Sequence, residues 1–223
     1  MNWLVCKAHN PKFRGNAILM YAPKFGTGRD TLARMVGEVF GVSNTVNVSP
    51  QVLLDPNYNG FLEHQFVICG ELTDGNRGGA HYTAFERLKD LVDPQVKYMQ
   101  VNKKYVANYT APIYASFMMF TNHSDALRLA ATDRRFYVVT NPSTVRPPEY
   151  FVGVHKAMSN PNFAKSVWRW LMTQTPDFDT ANTRAPMTAA KEEMILTSGT
   201  LEEQVMRAVI DAIGCKVVHP RTV

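Results

Sequence analysis

AILMYAPKFGTGRDT, residues 17–31, is the stretch that decides the fold of this chain. An apolar, strand-like run enters a loop that contains Gly26 and Gly28, and a helix-like run, TLARMVGEVF, follows at once. A glycine-rich turn between a strand and a helix N-terminus presents backbone N–H groups to an anion. The order of these segments therefore predicts a phosphate-binding loop.

The loop departs from the strict pattern of such sites, G-x-x-x-x-G-K-[ST]. Pro23 stands at the first glycine position, Arg29 at the lysine position and Asp30 at the hydroxyl position, and Thr31 comes one residue late. The cradle consists mostly of backbone, so phosphate binding tolerates these changes. Catalysis depends more strongly on them, because it rests on the placement of charge.

The composition is that of a globular chain with a basic surface. Its 223 residues are 45% hydrophobic, which is enough to bury the core of one large domain, or of one domain and a small appendage. A charged fraction of 19% argues against disorder. The 24 Lys and Arg residues exceed the 19 Asp and Glu residues, and a net charge of +5 is compatible with a polyanionic partner.

Cysteine, histidine and hydropathy patterns exclude several classes of protein. The three cysteines are too scattered for a disulfide framework or a zinc cluster, and the six histidines show no HxH or HxxxH spacing. No apolar run approaches the length of a membrane span, and the N-terminal segment lacks the apolar core of a signal peptide. We therefore expect a cytoplasmic protein without a membrane partner and without a metal held by a cluster of side chains.

Short continuous apolar runs alternate with helical segments. Residues 17–21, 65–69 and 114–120 have the pattern of strands that are covered on both faces, and residues 31–40 and 82–92 have the pattern of helices. This alternation predicts an α/β fold with a mostly parallel central sheet flanked by helices.

A proline-rich break, NPSTVRPPEY at residues 141–150, follows the strand-like RFYVVT. It predicts a boundary between a core over residues 1–145 and a small all-helical C-terminal region over residues 150–223. The helical patterns beyond the break cover residues 151–158, 164–174, 189–196 and 201–213. Thr200 and Glu203 have the spacing of a capping box at the start of the last helix.

Two polar residues follow directly after buried strands. Glu71 comes after FVICG and Asn122 comes after FMMFT, at the strand ends where α/β sheets bind ligands. Glu71 is a candidate to polarise an attacking water, although Gly70 stands where an acidic residue usually helps to hold Mg²⁺. Asn122 can hydrogen-bond both water and a γ-phosphate. The structural alternatives are a solvated strand end for Glu71 and a helix cap for Asn122 or Ser124.

A pair of arginines, Arg134 and Arg135, follows Asp133. Guanidinium groups match the geometry of phosphate, so the pair can stabilise a transferring phosphoryl group or bind nucleic acid. If an arginine acts across a subunit interface, the protein must be an oligomer. The alternative is a surface ion pair with Asp133, which contributes little energy.

The segment VKYMQVNKKYVANY, residues 96–109, alternates polar and apolar residues and predicts a hairpin with a basic tip. Its tyrosines, Tyr98 and Tyr105, can stack on bases, and its lysines can bind nucleic-acid phosphate. These lysines are Lys97, Lys103 and Lys104. Lysines at hairpin tips also protect sheet edges from unwanted pairing, which is the structural alternative.

The order of these segments resembles the helicase core of superfamily 3, and most of all the primase-helicase proteins of phages and large DNA viruses. The segments that carry the resemblance are GTGRDT, FVICGEL, VNKKY, FMMFTNHSDAL and DRRF. The most specific part is TNHSDALRLAATDRRFYVV, residues 121–139. The resemblance covers residues 3–206, which is nearly the whole chain.

The resemblance implies an AAA+-like P-loop NTPase core that hydrolyses ATP with Mg²⁺. Glu71 would be the catalytic carboxylate, Asn122 the sensor, and Arg134 or Arg135 the arginine finger, while Thr31 and Glu71 would support the Mg²⁺ ion. The implied nucleotide-binding residues are Gly26, Thr27, Gly28, Arg29, Asp30 and Thr31. The hairpin lysines would contact single-stranded DNA in the channel of a homo-hexamer that translocates, usually 3′ to 5′, with a primase domain or partner outside this chain.

Three functions are consistent with these features. The first is an active, ATP-driven helicase, which the order of the five segments favours. The second is a degenerate module that binds nucleotide and DNA without hydrolysis, which Arg29 and Gly70 favour. The third is a metabolic P-loop kinase, which would leave the basic hairpin and the arginine pair without a role.

Overall fold

Seven strands and nine helices form the part of the chain that the computed structural model describes, residues 1–72, 80–141, 145–182, 184–199 and 201–213. In chain order the strands are β1 (Ala17–Tyr21), β2 (Thr45–Val48), β3 (Phe66–Cys69), β4 (Tyr98–Val101), β5 (Tyr109–Pro112), β6 (Ser116–Thr121) and β7 (Phe136–Thr140). The helices are α1 (Asn2–His9), α2 (Arg29–Phe40), α3 (Pro50–Leu53), α4 (Ala80–Val92), α5 (Pro148–Met158), α6 (Phe163–Thr173), α7 (Phe178–Asn182), α8 (Ala189–Thr197) and α9 (Leu201–Ile213). Short 3₁₀ turns lie at Val42–Asn44 and Gly60–Glu63.

Five of the strands form one parallel sheet in the order β2-β3-β6-β1-β7. Strand β1 pairs with β6 on one side, with Leu19 opposite Met119, and with β7 on the other, with Leu19 opposite Val138. The prediction of a mostly parallel central sheet flanked by helices is confirmed. The predicted hairpin is also present, because β4 and β5 form a separate antiparallel pair.

Alternate residues of the sheet point into two hydrophobic layers, as the period of a strand requires. Phe117 and Met119 of β6 pack into one core, which also contains side chains of α4 and α8. Met118 and Phe120 pack into the other, beneath α2. The helices α1 and α6 extend that second layer, where Trp168 lies edge-on to Phe40 with ring centroids 5.5 Å apart. The sheet is therefore covered on both faces, which explains its nearly continuous apolar strands.

The helices beyond the proline-rich break share the core of the sheet. Ala190 and Met194 of α8 belong to the same hydrophobic cluster as Leu19 of β1. The Thr188 hydroxyl donates to the carbonyl oxygen of Val138 at 2.5 Å. The division into a core over residues 1–145 and a C-terminal region over 150–223 stays a prediction. Thr200 of the predicted capping box lies outside the described residues, as do residues 142–144 of the break.

Three buried basic side chains bond to backbone carbonyl groups near the N-terminal ends of the central strands. Lys7 is almost completely buried, and its Nζ donates to the carbonyl oxygens of Pro11, Phe13 and Tyr114 at 2.9, 2.7 and 2.5 Å. Arg14 is buried nearby and donates to four carbonyl oxygens, those of Leu91, Asp93, Val96 and Ala115. Each of these contacts fixes a loop that enters or leaves the sheet.

The third buried basic side chain, Lys191 of α8, forms an ion pair with Asp133. The distance from Nζ to Oδ1 is 3.1 Å, and both side chains are fully buried. The same carboxylate oxygen accepts the backbone N–H groups of Arg135 and Phe136 at the start of β7. A buried pair with these extra hydrogen bonds locks α8 to the sheet, because removing either partner would leave an uncompensated charge.

None of the described helices is long and apolar enough to cross a membrane.

The first prediction concerns Lys7 and pH. Burial, and then the charge of Arg14, lower the pKa of Lys7 to about 7, well below its ordinary value of 10.5. Between these two values the unfolded chain binds more protons than the folded chain, so the free energy of unfolding rises with pH across this window. We expect Lys7→Met to flatten that rise between about pH 7 and pH 10, as measured by urea denaturation.

The matched control is Lys165→Met, because Lys165 is exposed on α6. This control should keep the wild-type pH profile. Equal slopes for wild type and Lys7→Met would contradict the prediction.

Candidate functional site

A cleft of about 260 Å³ lies at the edge of the sheet where the parallel strands end, which we call the carboxyl edge. The loop after β1 forms one wall, and Glu71, which follows β3, lies opposite. Because β7 lies on the other side of β1 from β2, β3 and β6, the order of the strands reverses beside β1. Ligands of open α/β sheets bind at such a reversal.

Two glycines give the loop its shape. Gly26 and Gly28 have φ angles of 72° and 86°, in the left-handed region that glycine adopts without steric cost. A Cβ atom at Gly28 would lie 2.8 Å from Cε1 of Phe151 on α5, so the loop and that helix are in close contact. Gly28 is the N-cap of α2 and supplies no side-chain cap, which leaves the first-turn N–H groups to bind an anion.

Arg29 lines the cleft, but its guanidinium is bonded to groups at the end of β6. Nη1 donates to the carbonyl oxygen of Thr121 at 2.5 Å, and Nη2 donates to the side-chain oxygen of Asn122. The guanidinium also lies over the ring of Phe120, 5.9 Å from the centroid. Burial lowers the pKa of Arg29 from its ordinary value, and the carboxylates of Asp30 and Glu71 oppose that shift.

Asn122 follows β6 and bonds to Arg29, which lines the cleft. Its oxygen accepts from Arg29, while its Nδ2 is buried and has no acceptor among the described residues. The helix that Asn122 or Ser124 was predicted to cap is absent, because residues 122–135 form turns. That structural alternative is wrong. The apolar residues that suggested a helix, such as Ala126 and Leu127, are instead buried in the main hydrophobic core.

Glu71 stands at the end of β3 with an unusual backbone. Its φ angle of 53° lies in the left-handed region, which costs a non-glycine residue about 1 kcal/mol or more. The side chain is exposed and lines the cleft. A Cβ atom at the preceding Gly70 would meet no other atom within 4 Å. Position 70 therefore has room for the acidic side chain that usually stands there and helps to hold Mg²⁺.

The remaining loop residues take different positions around the cleft. Thr27 accepts a hydrogen bond from the amide of Asn141 at the end of β7, at 3.3 Å, while Asp30 and Thr31 line the cleft from the first turn of α2. Phe151 and His155 of α5 complete the lining. Sequence reasoning missed these last two residues, because they follow the proline-rich break and have no spacing relation to the loop.

The arginine pair lies at the opposite edge of the sheet, which we call the amino edge. Arg135 directly precedes β7, so about 15 Å of strand separate it from the cleft of its own chain. Its Nε is 2.7 Å from Oδ2 of Asp93, and Nη2 of the more exposed Arg134 is 3.7 Å from the same atom. Burial alone would raise the pKa of Asp93, but the Gln95 N–H and the two arginines outweigh it and lower the pKa.

The hairpin also projects from the amino edge, since β5 ends just before β6 begins. Asn59 holds its tip by accepting the N–H of Asn102 at 2.7 Å and donating to the carbonyl oxygen of Gln100 at 2.9 Å. Lys97 and Lys104 are exposed, and Tyr105 at the tip is fully exposed.

Lys103 differs from the other two hairpin lysines because it is paired with an acid. Its ammonium bonds to the carboxylate of Glu63, which also accepts the hydroxyl of Tyr109. Hydrogen bonds from Lys103 and Tyr109 lower the pKa of Glu63, and the bond to Glu63 raises the pKa of Lys103. Both groups therefore remain charged around neutral pH, and much of the positive charge of Lys103 is neutralised locally.

The structure thus divides the predicted site residues into two groups. The loop from Gly26 to Thr31 meets Glu71 and Asn122 at the carboxyl edge. The arginines and the hairpin lysines lie at the amino edge. No group of three His, Cys, Asp or Glu side chains suited to a metal ion occurs within the described ranges.

Comparison with known proteins gives a family and a fold. A family model described as "Family of unknown function (DUF5906)" matches residues 20–135, just over half of the chain. The DNA primase-polymerase of Nitratiruptor phage NrS-1 is 21% identical over 212 residues, which cover 95% of this chain and 29% of that protein. The chain therefore spans less than a third of this curated relative.

Solved structures of the NrS-1 C-terminal region share the fold. An apo structure matches 98% of this chain with a TM-score of 0.74 and 18% identity. An A-form apo structure matches 94% of it with a TM-score of 0.68 and 19% identity. The chain covers 54% and 48% of these structures, about half of the solved region.

The second prediction concerns the contact between the loop and α5. Gly28→Ala introduces a Cβ atom at a left-handed φ and against Phe151, so we expect a loss of about 1–3 kcal/mol of stability. Phe151→Ala in the same chain should recover the steric part of that loss but not the part due to φ. A double-mutant cycle by urea denaturation measures the coupling.

The matched control is Gly153→Ala on α5, where a Cβ atom would meet nothing within 4 Å. This substitution should be neutral or slightly stabilising, because alanine favours the helix. Additive effects of Gly28→Ala and Phe151→Ala would contradict the contact.

Proposed function

The chain belongs to the DUF5906 family, and we propose that it binds and hydrolyses a nucleoside triphosphate and contacts single-stranded DNA during phage DNA replication. The proposal of nucleotide binding rests on one observation. The glycine loop, Glu71 and Asn122 come together at the carboxyl edge. Likeness to the DNA primase-polymerase of a phage supports the replication part. The finer proposal is a superfamily 3 type helicase, in which ATP hydrolysis drives translocation.

The loop residues Gly26 to Thr31 bind the polyphosphate of ATP through backbone N–H groups. The left-handed glycines turn the backbone toward the cleft, and the N-terminus of α2 adds its dipole. The buried Nδ2 of Asn122 supplies a further donor that no described residue satisfies. An unsatisfied buried donor costs about 1–3 kcal/mol, and a phosphate oxygen at this point would remove that cost.

The residues present fit a magnesium ion that is bound together with the nucleotide. Mg²⁺ is commonly held by one or two protein oxygen ligands, substrate phosphates and several waters. The Thr31 hydroxyl and the Glu71 carboxylate both line the cleft and would hold it. When bound, such an ion neutralises charge on the phosphates.

Glu71 and Arg29 have separate roles in the proposed hydrolysis. Glu71 accepts a hydrogen bond from the attacking water and orients it, which is the usual task of a carboxylate at this place. Arg29 holds the oxygen of Asn122, which fixes the orientation of the amide next to the cleft. Because a guanidinium remains charged, Arg29 also adds positive potential close to the nucleotide.

Arg134 and Arg135 lie too far from their own cleft to act there, so a phosphate contact requires a second copy of the chain. This distance supports the proposal of a ring, a homo-hexamer, in which the amino edge of one subunit meets the cleft of its neighbour. Arg134 is the better candidate for the arginine finger, because it is 59% exposed and only loosely paired with Asp93.

A second candidate function is a module that binds nucleotide and DNA without hydrolysis. The observation that favours it is the bond between Arg29 and Asn122, which occupies two groups that the superfamily 3 resemblance assigns to ATP. The missing carboxylate at Gly70 favours the same candidate.

The third prediction separates these candidates by ATP hydrolysis with and without single-stranded DNA. For an active enzyme, Glu71→Gln should lower kcat by about a hundredfold or more and leave ATP affinity nearly unchanged. Arg29→Lys removes the forked contacts to Thr121 and Asn122, so the Asn122 amide is no longer held. If the wild-type protein is already active, this variant should therefore not hydrolyse ATP faster than wild type. For the binding module, wild type should be inactive, and Arg29→Lys with Gly70→Asp should gain activity.

Because the phage relative is named a primase-polymerase, the same experiment also measures primase activity. Primer synthesis from nucleoside triphosphates on a single-stranded template, measured under the same conditions, tests a primase role directly. Binding of ATP by neither wild type nor any of these variants would overturn both nucleotide proposals.

The fourth prediction concerns the charge of the hairpin. Glu63→Gln removes the acid that is paired with Lys103, so we expect single-stranded DNA to bind about two- to fivefold more tightly at low salt, with a steeper salt dependence. Fluorescence anisotropy with a labelled oligonucleotide measures both quantities. Changing Lys103 and Lys104 to Ala should weaken binding across all sequences.

Glu38→Gln is the matched control, because it changes the net charge equally on α2, away from the hairpin. If Glu63→Gln and Glu38→Gln bind single-stranded DNA with equal affinity, the hairpin lysines have a structural role and do not contact the DNA.

A further inference from the structure

A second groove, of about 530 Å³, lies at the amino edge between the base of the hairpin and the segment that enters β1. Its volume is within the usual range of ligand sites, about 300–1,000 Å³. Residues from four separate parts of the chain line it, those near positions 10–14, 94–98, 112–114 and 178. Neither the glycine loop nor any other part of the cleft contributes to it.

The charged residues that line this groove are all basic. Lys12, Arg14 and Lys97 are among its lining residues, and no Asp or Glu is. Arg14 is buried and spends its donors on backbone carbonyls, so it contributes potential rather than contacts. Lys12 and Lys97 are exposed and form no salt bridge within the described part of the chain. Their ammonium groups can therefore bind an anion.

Four aromatic residues also line the groove. Tyr98 is 65% exposed at the start of β4, and Tyr114 is half-buried just before β6. Phe13 and Phe178 form an edge-to-face pair with ring centroids 5.9 Å apart. Exposed rings beside free lysines are the arrangement by which proteins bind single-stranded nucleic acid, with bases stacked on rings and phosphates on cations.

We propose that this groove, as an extension of the DNA contact in the proposed function, binds one nucleotide of a single strand of DNA. Its base stacks on Tyr98 beside Tyr114, and its phosphates bond to Lys12 and Lys97. The strand continues along β4 toward Lys104 and Tyr105 at the hairpin tip, since Lys97 and Tyr98 lie at the base of the same hairpin. The floor is rigid, because the carbonyls of Phe13 and Tyr114 are bonded to the buried Lys7.

Photo-crosslinking tests the stacked base directly. An oligothymidine that carries 5-iodouracil is irradiated with the full chain, and adducts are mapped by mass spectrometry. We expect an adduct on Tyr98 or Tyr114, and we expect excess ATP to leave it in place, because ATP binds at the other edge of the sheet. Adducts confined to the hairpin tip would overturn the groove site and leave the hairpin contact standing.

Affinity measurements test the same site without relying on crosslinking. Tyr98→Ala should weaken binding of the oligonucleotide at least fivefold, and Tyr98→Phe should restore it, because stacking needs only the ring. Tyr137→Ala, on β7, is the matched control and should bind like wild type. Lys12→Ala should reduce the slope of log K against log salt by about 0.7, whereas Lys165→Ala should not.

These outcomes separate the groove from the wider proposal. Unchanged affinity and salt slope in both Tyr98→Ala and Lys12→Ala, with weakened binding in the hairpin-tip variants, would reject the groove alone. Failure of wild type to bind DNA at all would overturn the groove and the proposed DNA contact together. Circular dichroism of each variant confirms that a loss of binding is not a loss of folding.

Discussion

The buried guanidinium of Arg14 fixes the geometry of the whole amino edge. Moving a charge out of water costs several kcal/mol, and this cost is offset only if the group finds many good partners. Arg14 meets the requirement with backbone carbonyls from the end of α4, the turn before β4 and the start of β6. Burial lowers its pKa to about 10, with Asp93 opposing the shift, so it is still charged at neutral pH. One side chain thus sets where the hairpin leaves the sheet.

A second guanidinium acts at the other end of the same strands. Arg29 bonds to the carbonyl of Thr121 at the end of β6, while Arg14 bonds to that of Ala115 just before β6 begins. The central strand β6 is therefore held by an arginine at each edge of the sheet. This strand runs from the amino edge, where the hairpin and the groove lie, to the cleft at the carboxyl edge. All of the side chains of β6 are buried, so the strand packs against both hydrophobic layers.

The sequence predicted the elements whose pattern is local. Long apolar runs located β1, β3, β6 and β7, and the helices over residues 31–40 and 82–92 appear as α2 and α4. It missed α1, which has no side-chain cap, and β2, a half-exposed edge strand of four residues. It also missed the burial of Lys7, Arg14 and Lys191, because that burial depends on carbonyl groups from distant segments. For the same reason, the sequence did not predict that Phe151 lines the cleft.

The pairing of Arg29 with Asn122 changes what the departure from the strict loop pattern means. A lysine at this position would carry a compact point charge, whereas the planar fork of Arg29 holds both the end of β6 and the amide beside it. Hydrogen bonds in a chain strengthen one another at low dielectric. A guanidinium that donates to the amide oxygen therefore makes the buried Nδ2 of Asn122, which has no described acceptor, a stronger hydrogen-bond donor. Arg29 and Asn122 therefore form one hydrogen-bonded unit, and a substitution of Arg29 also changes the surroundings of the Asn122 amide.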